Sequence, residues 1–211
     1  IDLVDICTPP YVHAEISVNC LRAGMNVLCE KPMAASLEEC DQVLAAARES
    51  GKLFSSIAQN RFRTPIAAFK ALLDSGLAGP VKHFQVDSFW WRGHCYYDMW
   101  WRGTWAKEGG GCTLNHAVHH IDMLCWMMGL PQEVVSVLGN VAHDNAEVED
   151  LSVSVLRYPS AMATVTASVV HHGERQALTA QRPALPCRIR YMLPKAFPPA
   201  SPGRTRNWRN S

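Results

Sequence analysis

The 211-residue sequence has no long hydrophobic run, and this absence excludes one class of partner. No apolar segment approaches the roughly 20 residues that a membrane-spanning helix needs. Charge is also sparse, since 18% of the residues are charged and the formal net charge is +1. Neither a membrane nor a nucleic acid is therefore indicated as a partner. The hydrophobic content of 48% is sufficient for a substantial buried core.

The eight cysteines form no C-x-x-C pair and no closely spaced framework. They are scattered through apolar stretches, which is typical of reduced core residues in a cytoplasmic protein. Acidic residues are missing from the end of the chain, because no Asp or Glu follows Glu174 while arginines and prolines accumulate. We expect residues 176–211 to be a disordered, basic, proline-rich tail or the product of a shifted reading frame. An arm that binds RNA or an acidic partner is the less favoured alternative.

The first 58 residues alternate between strand-like and helix-like segments. Strands are predicted for "IDLVDI", "NVLC" and "KLFSSIA", and helices for residues 11–23 and 36–50, each followed by a glycine. This alternation predicts a parallel, doubly wound α/β sheet, in which ligands bind outside the carboxyl ends of the strands. Four polar residues fall at or just past those ends: Thr8, Glu30, Lys31 and Gln59. Because the chain starts directly in a strand and without Met, we expect upstream sequence to be missing.

Lys31 lies in "VLCEKPMAAS", directly before a proline. Pro32 restricts the backbone of Lys31 to extended geometry, so the side chain leaves the strand end in a restricted direction. An ammonium group fixed over a ligand crevice can hold or polarise an oxygen. A surface ion pair with Glu30 explains the position equally well.

After Gln59 the pattern changes to one helix and several strand-like runs. In "DLSVSVLRY" Leu151, Val153 and Val155 share one face, and "AMATVTASVV" alternates in the same way. We predict a second, α+β domain that begins near residue 60, with a mostly antiparallel sheet covered on one face.

Residues 108–129, "EGGGCTLNHAVHHIDMLCWMMG", predict a loop followed by a helix that ends at Gly129. Helical geometry places Asn115, His119 and Asp122 within a sector of roughly 60°. His119 would then have a possible acceptor on either side, although a satisfied core histidine is an equally good interpretation. Zinc is less favoured, because His116 and His120 lack a third ligand nearby in the sequence. We expect the buried stripe of this helix to comprise Leu114, Val118, Ile121, Cys125 and Met128.

Residues 88–105 contain five of the seven tryptophans, together with Arg92, Tyr96, Tyr97 and Arg102. Such a segment could stack on a base or sugar ring and pair with phosphate through arginine. It could equally form a hydrophobic subunit contact, because aromatic residues and Arg are enriched there too.

Five motifs in order resemble those of the Gfo/Idh/MocA oxidoreductases: "CTPPYVHA", "VLCEKPMA", "QNRF", "WRGTW" and "GGGCTLNHAVHHIDMLCWMMG". The match runs from residue 1 to about 175. It implies that residues 1–58 are the latter half of an NAD(P)-binding Rossmann domain. Residues 59–175 would form a substrate domain that often makes dimers, so a homo-oligomer is expected. The implied reaction is reversible oxidation of a sugar or cyclitol hydroxyl, with NAD or NADP as cofactor and no metal.

By the same resemblance Lys31 contacts nicotinamide and substrate oxygen, and His119 is the general acid/base. Asn115 stands where many members have Asp, and a neutral amide can orient His119 without stabilising its charged form. The order of "YYD" and "WRGTW" most resembles members that act on nucleotide sugars such as UDP-N-acetylhexosaminuronates. The implied cofactor-binding residues are Thr8, Pro9, His13, Glu30, Lys31, Pro32 and Gln59. The implied substrate-binding residues are Lys31, Arg61, Tyr97, Arg102, Trp105, Asn115 and His119.

The family's first strand, its G-x-G-x-x-G turn and its acidic ribose-binding residue have no counterpart in the sequence. We therefore expect a fragment of an NAD(P)-dependent sugar dehydrogenase that is inactive alone. A non-catalytic module of the same fold, for sugar or nucleotide binding or for dimerisation, is the alternative. The missing turn favours the module, whereas Lys31 and His119 favour an enzyme.

Overall fold

The structure, a computed structural model, describes residues 1–77 and 79–182. Its first part is a three-stranded parallel sheet in the order β1-β2-β3. The strands are β1 (Leu3–Ile6), β2 (Asn26–Cys29) and β3 (Phe54–Ser56). A 3-10 helix (Pro10–Val12) and α1 (His13–Arg22) connect β1 to β2, and α2 (Leu37–Ser50) connects β2 to β3. The predicted parallel α/β arrangement is confirmed.

Local sequence signals set the bounds of α2. The Ser36 hydroxyl accepts a hydrogen bond from the amide of Glu39, and the Glu39 carboxylate accepts one from the amide of Ala35. Such a reciprocal cap satisfies amides that a helix leaves free at its start. Gly51 ends the helix with a φ of 65°, a left-handed conformation that favours glycine.

The second part contains α3 (Thr64–Asp74), β4 (His83–Trp91), α4 (His94–Tyr97), α5 (Trp105–Glu108), α6 (Cys112–Asn115), α7 (Val118–Met128), β5 (Glu133–Gly139), β6 (Leu151–Arg157), β7 (Met162–Ser168) and β8 (Val170–Gln181). A 3-10 helix (Gln59–Phe62) precedes α3. The strands form a sheet in the order β5-β6-β7-β4-β8, in which only β4 and β7 pair in parallel within the described residues. The mostly antiparallel sheet is confirmed.

One face of this sheet packs on α3 and α7, and the other face is open. Phe84, Val86 and Val165 are buried against Phe69 of α3 and Leu124 of α7. In β6 Ser152, Ser154 and Leu156 point to this core, while Leu151, Val153 and Val155 lie on the open face, where Val153 is 47% exposed. The buried serines are satisfied by hydroxyl partners on neighbouring elements: Ser152 bonds Thr113, and Ser154 bonds Ser136.

The predicted disorder of residues 176–211 is wrong for residues 176–181. These residues belong to β8, where Ala177, Leu178 and Ala180 are buried. Pairing with β4 satisfies their backbone groups, and the prolines that suggested disorder begin only at Pro183. The remainder of the predicted tail, residues 183–211, lies outside the described residues.

The helix predicted up to Gly129 is broken into α6 and α7. The amide of Ala117 bonds the carbonyl of Cys112, and α7 starts one residue later. The residues of the predicted stripe are only partly buried, although Ile121 and Met128 do pack against the core. The fully buried residues of α7 are His120, Met123 and Leu124.

Candidate active site

A cleft of about 330 Å³ lies where the carboxyl ends of β2 and β3 face α7. The segments after the two strands contribute Lys31, Pro32 and residues 56–58. His119 and Asp122 of α7 and Arg61 of the 3-10 helix line the opposite side. The structure thus brings Lys31, Pro32, Arg61 and His119 together in one cleft.

Lys31 is anchored by a backbone carbonyl on the second sheet unit. Its Nζ donates to the carbonyl oxygen of Asn115 at 2.8 Å, while the Glu30 carboxylate accepts from the Lys31 amide at 3.1 Å. The side chains of Glu30 and Lys31 therefore do not form the simple ion pair that was the alternative interpretation. Burial lowers the pKa of Lys31 and Arg102 adds to this, while Glu30 and Glu108 oppose it. The Lys31–Pro32 peptide bond is cis.

His119 is half-buried on the wall of the cleft. Burial, followed by the charge of Lys31, lowers its pKa to about 4. At neutral pH the imidazole is therefore uncharged and carries a lone pair. An uncharged histidine beside a lysine is able to accept a proton from a hydroxyl group.

The predicted acceptors beside His119 have other partners. The side-chain NH2 group of Asn115 donates to the carbonyl of Gly110 at 2.7 Å, and the Asp122 carboxylate binds the Arg61 guanidinium through two hydrogen bonds. The prediction assumed one uninterrupted helix, whereas α6 ends at Asn115 and α7 begins at Val118. Asn115 acts instead through its carbonyl, on Lys31.

Arg102 is held in an aromatic and acidic setting near Lys31. Its guanidinium lies 4.0 Å from the ring centroids of both Tyr96 and Trp101, and it donates to the Tyr96 hydroxyl and to Glu108. Its Nε is buried and has no hydrogen-bond partner among the described residues. Tyr97, predicted to bind substrate, is instead 6% exposed and packs on His143. Tyr96 is the tyrosine on the side of Arg102.

The predicted cofactor residues cluster at the strand ends with one exception. Thr8 and Gln59 are exposed just past β1 and β3, and Pro9 precedes the first 3-10 helix. His13 is only 1% exposed, and each ring nitrogen lies 2.7 Å from a carbonyl oxygen, of Thr8 and of Pro32. His13 therefore ties the ends of β1 and β2 together and does not offer its ring to a cofactor.

Trp105 is not among the residues that line the cleft of Lys31 and His119. It lines a separate apolar cavity of about 460 Å³, formed between the start of α2 and the segment 109–121. The prediction that Trp105 and His119 line the same substrate site is not supported by this position.

Two buried carboxylates of the site region were missed by sequence reasoning. Glu108, 2% exposed, accepts from the amide of Gly103 and from Arg102, and burial raises its pKa. Glu149, 4% exposed, accepts from the amides of Gly111 and Thr113. Their sequence signal is weak, because "EGGG" and "VED" also suit surface turns.

Within residues 1–77 and 79–182, no group of three His, Cys, Asp or Glu side chains is placed to hold a metal ion. His116 and His120 are both buried, and burial lowers the pKa of each, that of His120 to about 4. None of the helices formed by those same residues is long and apolar enough to cross a membrane.

A parallel sheet whose strand end carries a lysine, facing a histidine from an α+β unit, defines the class of two-domain oxidoreductases with a Rossmann-type first domain. Residues 1–57 match the family model of the oxidoreductase family with an NAD-binding Rossmann fold, and residues 66–184 match that of the GFO/IDH/MocA C-terminal domain. The chain belongs to the Gfo/Idh/MocA family of oxidoreductases.

Relatives with named activities include 2,7-anhydro-N-acetylneuraminate hydratase of Mediterraneibacter gnavus, 30% identical over 71% of this chain and 40% of that protein. Levoglucosan dehydrogenase of Pseudarthrobacter phenanthrenivorans is 31% identical over 65% of this chain and 36% of that protein. Among solved structures, the WlbA dehydrogenase of Bordetella pertussis with NADH and UDP-GlcNAcA superposes with a TM-score of 0.81 and 29% identity, over 85% of this chain and 52% of that one. The chain thus spans about half the length, or less, of these relatives.

Proposed function

We propose that this chain carries the reacting half of an NAD(P)-dependent oxidoreductase acting on a hydroxyl group of a sugar or cyclitol. The observation that carries the proposal is the shared cleft of Lys31 and His119 at the strand ends. Named relatives support it, since they include a levoglucosan dehydrogenase and a scyllo-inositol 2-dehydrogenase. The division into a dinucleotide unit, residues 1–58, and a substrate unit from residue 59 is part of this proposal.

The two side chains divide the work at the reacting oxygen. His119, uncharged at neutral pH, takes the hydroxyl proton on a ring nitrogen. The Lys31 ammonium, aimed by the Asn115 carbonyl, stabilises the negative charge that develops on that oxygen. A nicotinamide bound beside these two side chains would supply the acceptor for the hydride that leaves the carbinol carbon.

The residues at the strand ends fit the nicotinamide side of a dinucleotide. Thr8, Pro9 and Gln59 surround the ends of β1 and β3, and Glu30 and Pro32 flank Lys31. A pyrophosphate is normally held by a glycine-rich turn, and the 211 residues contain no G-x-G-x-x-G. We therefore expect no saturable micromolar binding when residues 1–211 are titrated with NADH or NADPH and nicotinamide fluorescence is followed. Saturation would mean that another segment holds the phosphates.

The mutational test uses a form of the protein that binds the dinucleotide and turns over. Lys31→Ala and His119→Ala should each lower kcat by about 10²-fold or more, with a much smaller change in cofactor affinity. Lys52→Ala and His171→Ala, which remove the same groups at exposed positions, are the controls. Turnover near the wild-type value in either site variant would remove that residue from the mechanism.

Within this proposal we favour acidic sugars, including nucleotide sugars, as the substrate class. Arg102 lies close enough to Lys31 to add to the lowering of its pKa by burial. A substrate carboxylate or phosphate within reach of both cations would be held by their positive charge. The names of the hydratase and the UDP-GlcNAcA complex also refer to acidic sugars. Arg102→Lys should then raise KM for an acidic substrate about tenfold or more and leave that for a neutral sugar unchanged.

A binding or dimerisation module is the second candidate function. The open face of the second sheet exposes Val135, Val137, Val153 and Val155, and a patch of this kind favours a second copy of the chain. We propose that the chain forms homo-oligomers through this face. Val153→Glu should produce monomers in sedimentation velocity. A module without catalysis would keep this association while Lys31→Ala changed nothing measurable.

A further inference from the structure

One side chain holds the N-terminus of α6. The Glu149 carboxylate accepts from the amides of Gly111 at 2.8 Å and Thr113 at 3.0 Å, and the Glu149 carbonyl accepts from the amide of Cys112 at 2.9 Å. Three consecutive N–H groups therefore donate hydrogen bonds to Glu149, which is 4% exposed. Amides at a helix start have no partner within the helix, so Glu149 supplies what α6 cannot supply itself.

The approach of Glu149 depends on the glycine at position 111. A Cβ built on Gly111 would lie 2.8 Å from both the amide nitrogen and the carbonyl carbon of Glu149, and closer still to its carbonyl oxygen. Real side chains do not approach a backbone so closely. The segment before α6 is therefore in direct backbone contact with the start of β6.

The last residue of α6 holds Lys31. Asn115 accepts from the Lys31 Nζ through its carbonyl, and its own amide donates to the Gly111 carbonyl at 2.9 Å. Its side chain donates to the Gly110 carbonyl. α6 has only four residues, so the backbone of Asn115 is bonded to Gly111, and Glu149 holds the amide of Gly111. The position of the Asn115 carbonyl therefore follows that of the residues that Glu149 holds.

We propose that Glu149 is a positioning residue: by holding the first turn of α6 it fixes the Asn115 carbonyl that aims the Lys31 amine into the cleft. Glu149 itself lines the apolar cavity beside α2, on the other side of α6. It acts through α6 and not by contact with substrate. The inference rests on the proposed role of Lys31 in the reaction.

The environment of Lys31 offers a measurement that needs neither cofactor nor turnover. Its pKa is lowered by burial and by Arg102, against the effect of Glu30 and Glu108. If α6 loosens, the amine gains water while these three charged neighbours stay in place. The pKa of Lys31 should then rise towards that of an exposed lysine.

The experiment is competitive amine labelling of residues 1–211 with acetic anhydride over a pH series, read by peptide mass spectrometry. The labelling midpoint of Lys31 is compared with that of exposed Lys52 in the same sample. In Glu149→Gln, whose NH2 group must face an amide donor, we expect the Lys31 midpoint to rise by about half a pH unit or more. Glu147→Gln is the matched control, because Glu147 is exposed and two residues away.

A Lys31 midpoint that stays at the wild-type value in folded Glu149→Gln would overturn the proposal, and so would an equal rise in Glu147→Gln. Circular dichroism melting establishes whether each variant is folded. Should Glu149→Gln not fold, Glu149→Asp keeps the charge and shortens its reach, and the same midpoint rise is expected of it. A protein that binds no dinucleotide still gives a readable labelling curve, so failure of the proposed function is distinguishable from failure of this inference.

Discussion

The part of the chain that forms the three-stranded sheet (the first unit) and the part that forms the five-stranded sheet (the second unit) place their functional groups by different means. In the part of the chain that the structure describes, all four buried carboxylates, Asp87, Glu108, Glu149 and Asp150, belong to the second unit. The first unit places Lys31 and Thr8 through strand ends and backbone hydrogen bonds, and its buried polar side chains are His13 and Ser17. A site positioned by backbone hydrogen bonds tolerates substitutions of surface residues, whereas a site positioned by buried charged side chains depends on each hydrogen-bond partner of those side chains.

Burial of a carboxylate is unfavourable unless its oxygens are bonded. Each of the four has such partners: Asp87 pairs with Arg175, and Asp150 accepts from two amides and from His143. Glu108 and Glu149 are bonded as described above. The comparison therefore predicts that single substitutions in the second unit disturb the fold and the site more than equivalent changes in the first.

The largest effect is expected for Gly111→Ala. The added Cβ would overlap the Glu149 backbone, which cannot move without shifting β6, so we expect the free energy of unfolding to fall by about 4 kcal/mol. Urea unfolding measures this value. Gly139→Ala is the control, because a Cβ there meets nothing within 4 Å. Equal losses in both variants would contradict the close approach at Gly111.

The next largest effect is expected in the loss of folding stability at acidic pH. His120 is 0% exposed and burial lowers its pKa from about 6.5 to about 4. As the pH falls through this window the unfolded chain binds a proton that the folded chain excludes, so stability decreases below pH 6.5, and the part of the decrease that His120 causes levels off below about pH 4. His120→Leu should remove about 3 kcal/mol of that decrease, measured by urea unfolding at pH 7.5 and pH 4. Exposed His171→Leu should leave the decrease intact.

Asp150→Asn tests the buried charge directly. The carboxylate accepts from the amides of Val141 and Ala142 and from His143, and an amide side chain would set a donor against one of these groups. We expect a loss of about 2 kcal/mol in the free energy of unfolding. Asp41→Asn, at an exposed position on α2 of the first unit, should change it by less than about 0.5 kcal/mol. Similar losses would remove the contrast between the units.

The smallest effect is expected for the cap of α2. Ser36→Ala removes the acceptor of the Glu39 amide and should lower the free energy of unfolding by about 1 kcal/mol. Thermal unfolding followed at 222 nm would detect it. Ser55→Ala on exposed β3 serves as the control. A loss larger than that of Asp150→Asn would show that the first unit is the more sensitive one.

The same contrast explains which features were predictable from sequence. The α2 cap, Gly51 and the strands "NVLC" and "KLFSSIA" are local signals, and Lys31 follows from a strand end before a proline. The choice of Tyr96 over Tyr97 depends on the buried ring of His143, about 45 residues away in sequence. The partner of the Asn115 side chain depends on the break between α6 and α7, and its carbonyl binds Lys31, 84 residues away in sequence. Long-range partners of this kind leave no periodic pattern in the chain.

The position of β4 in its sheet has a consequence for synthesis of the protein. β4 lies between β7 and β8, yet it precedes both in the chain, and its last residue, Trp91, is 90 positions before the end of β8 at Gln181. At a translation rate of about 5 to 20 residues per second, this strand waits roughly 5 to 18 s after leaving the ribosome before its second neighbour exists. During that interval the edge of β4 that later pairs with β8 lacks its partner strand and is open to other extended segments.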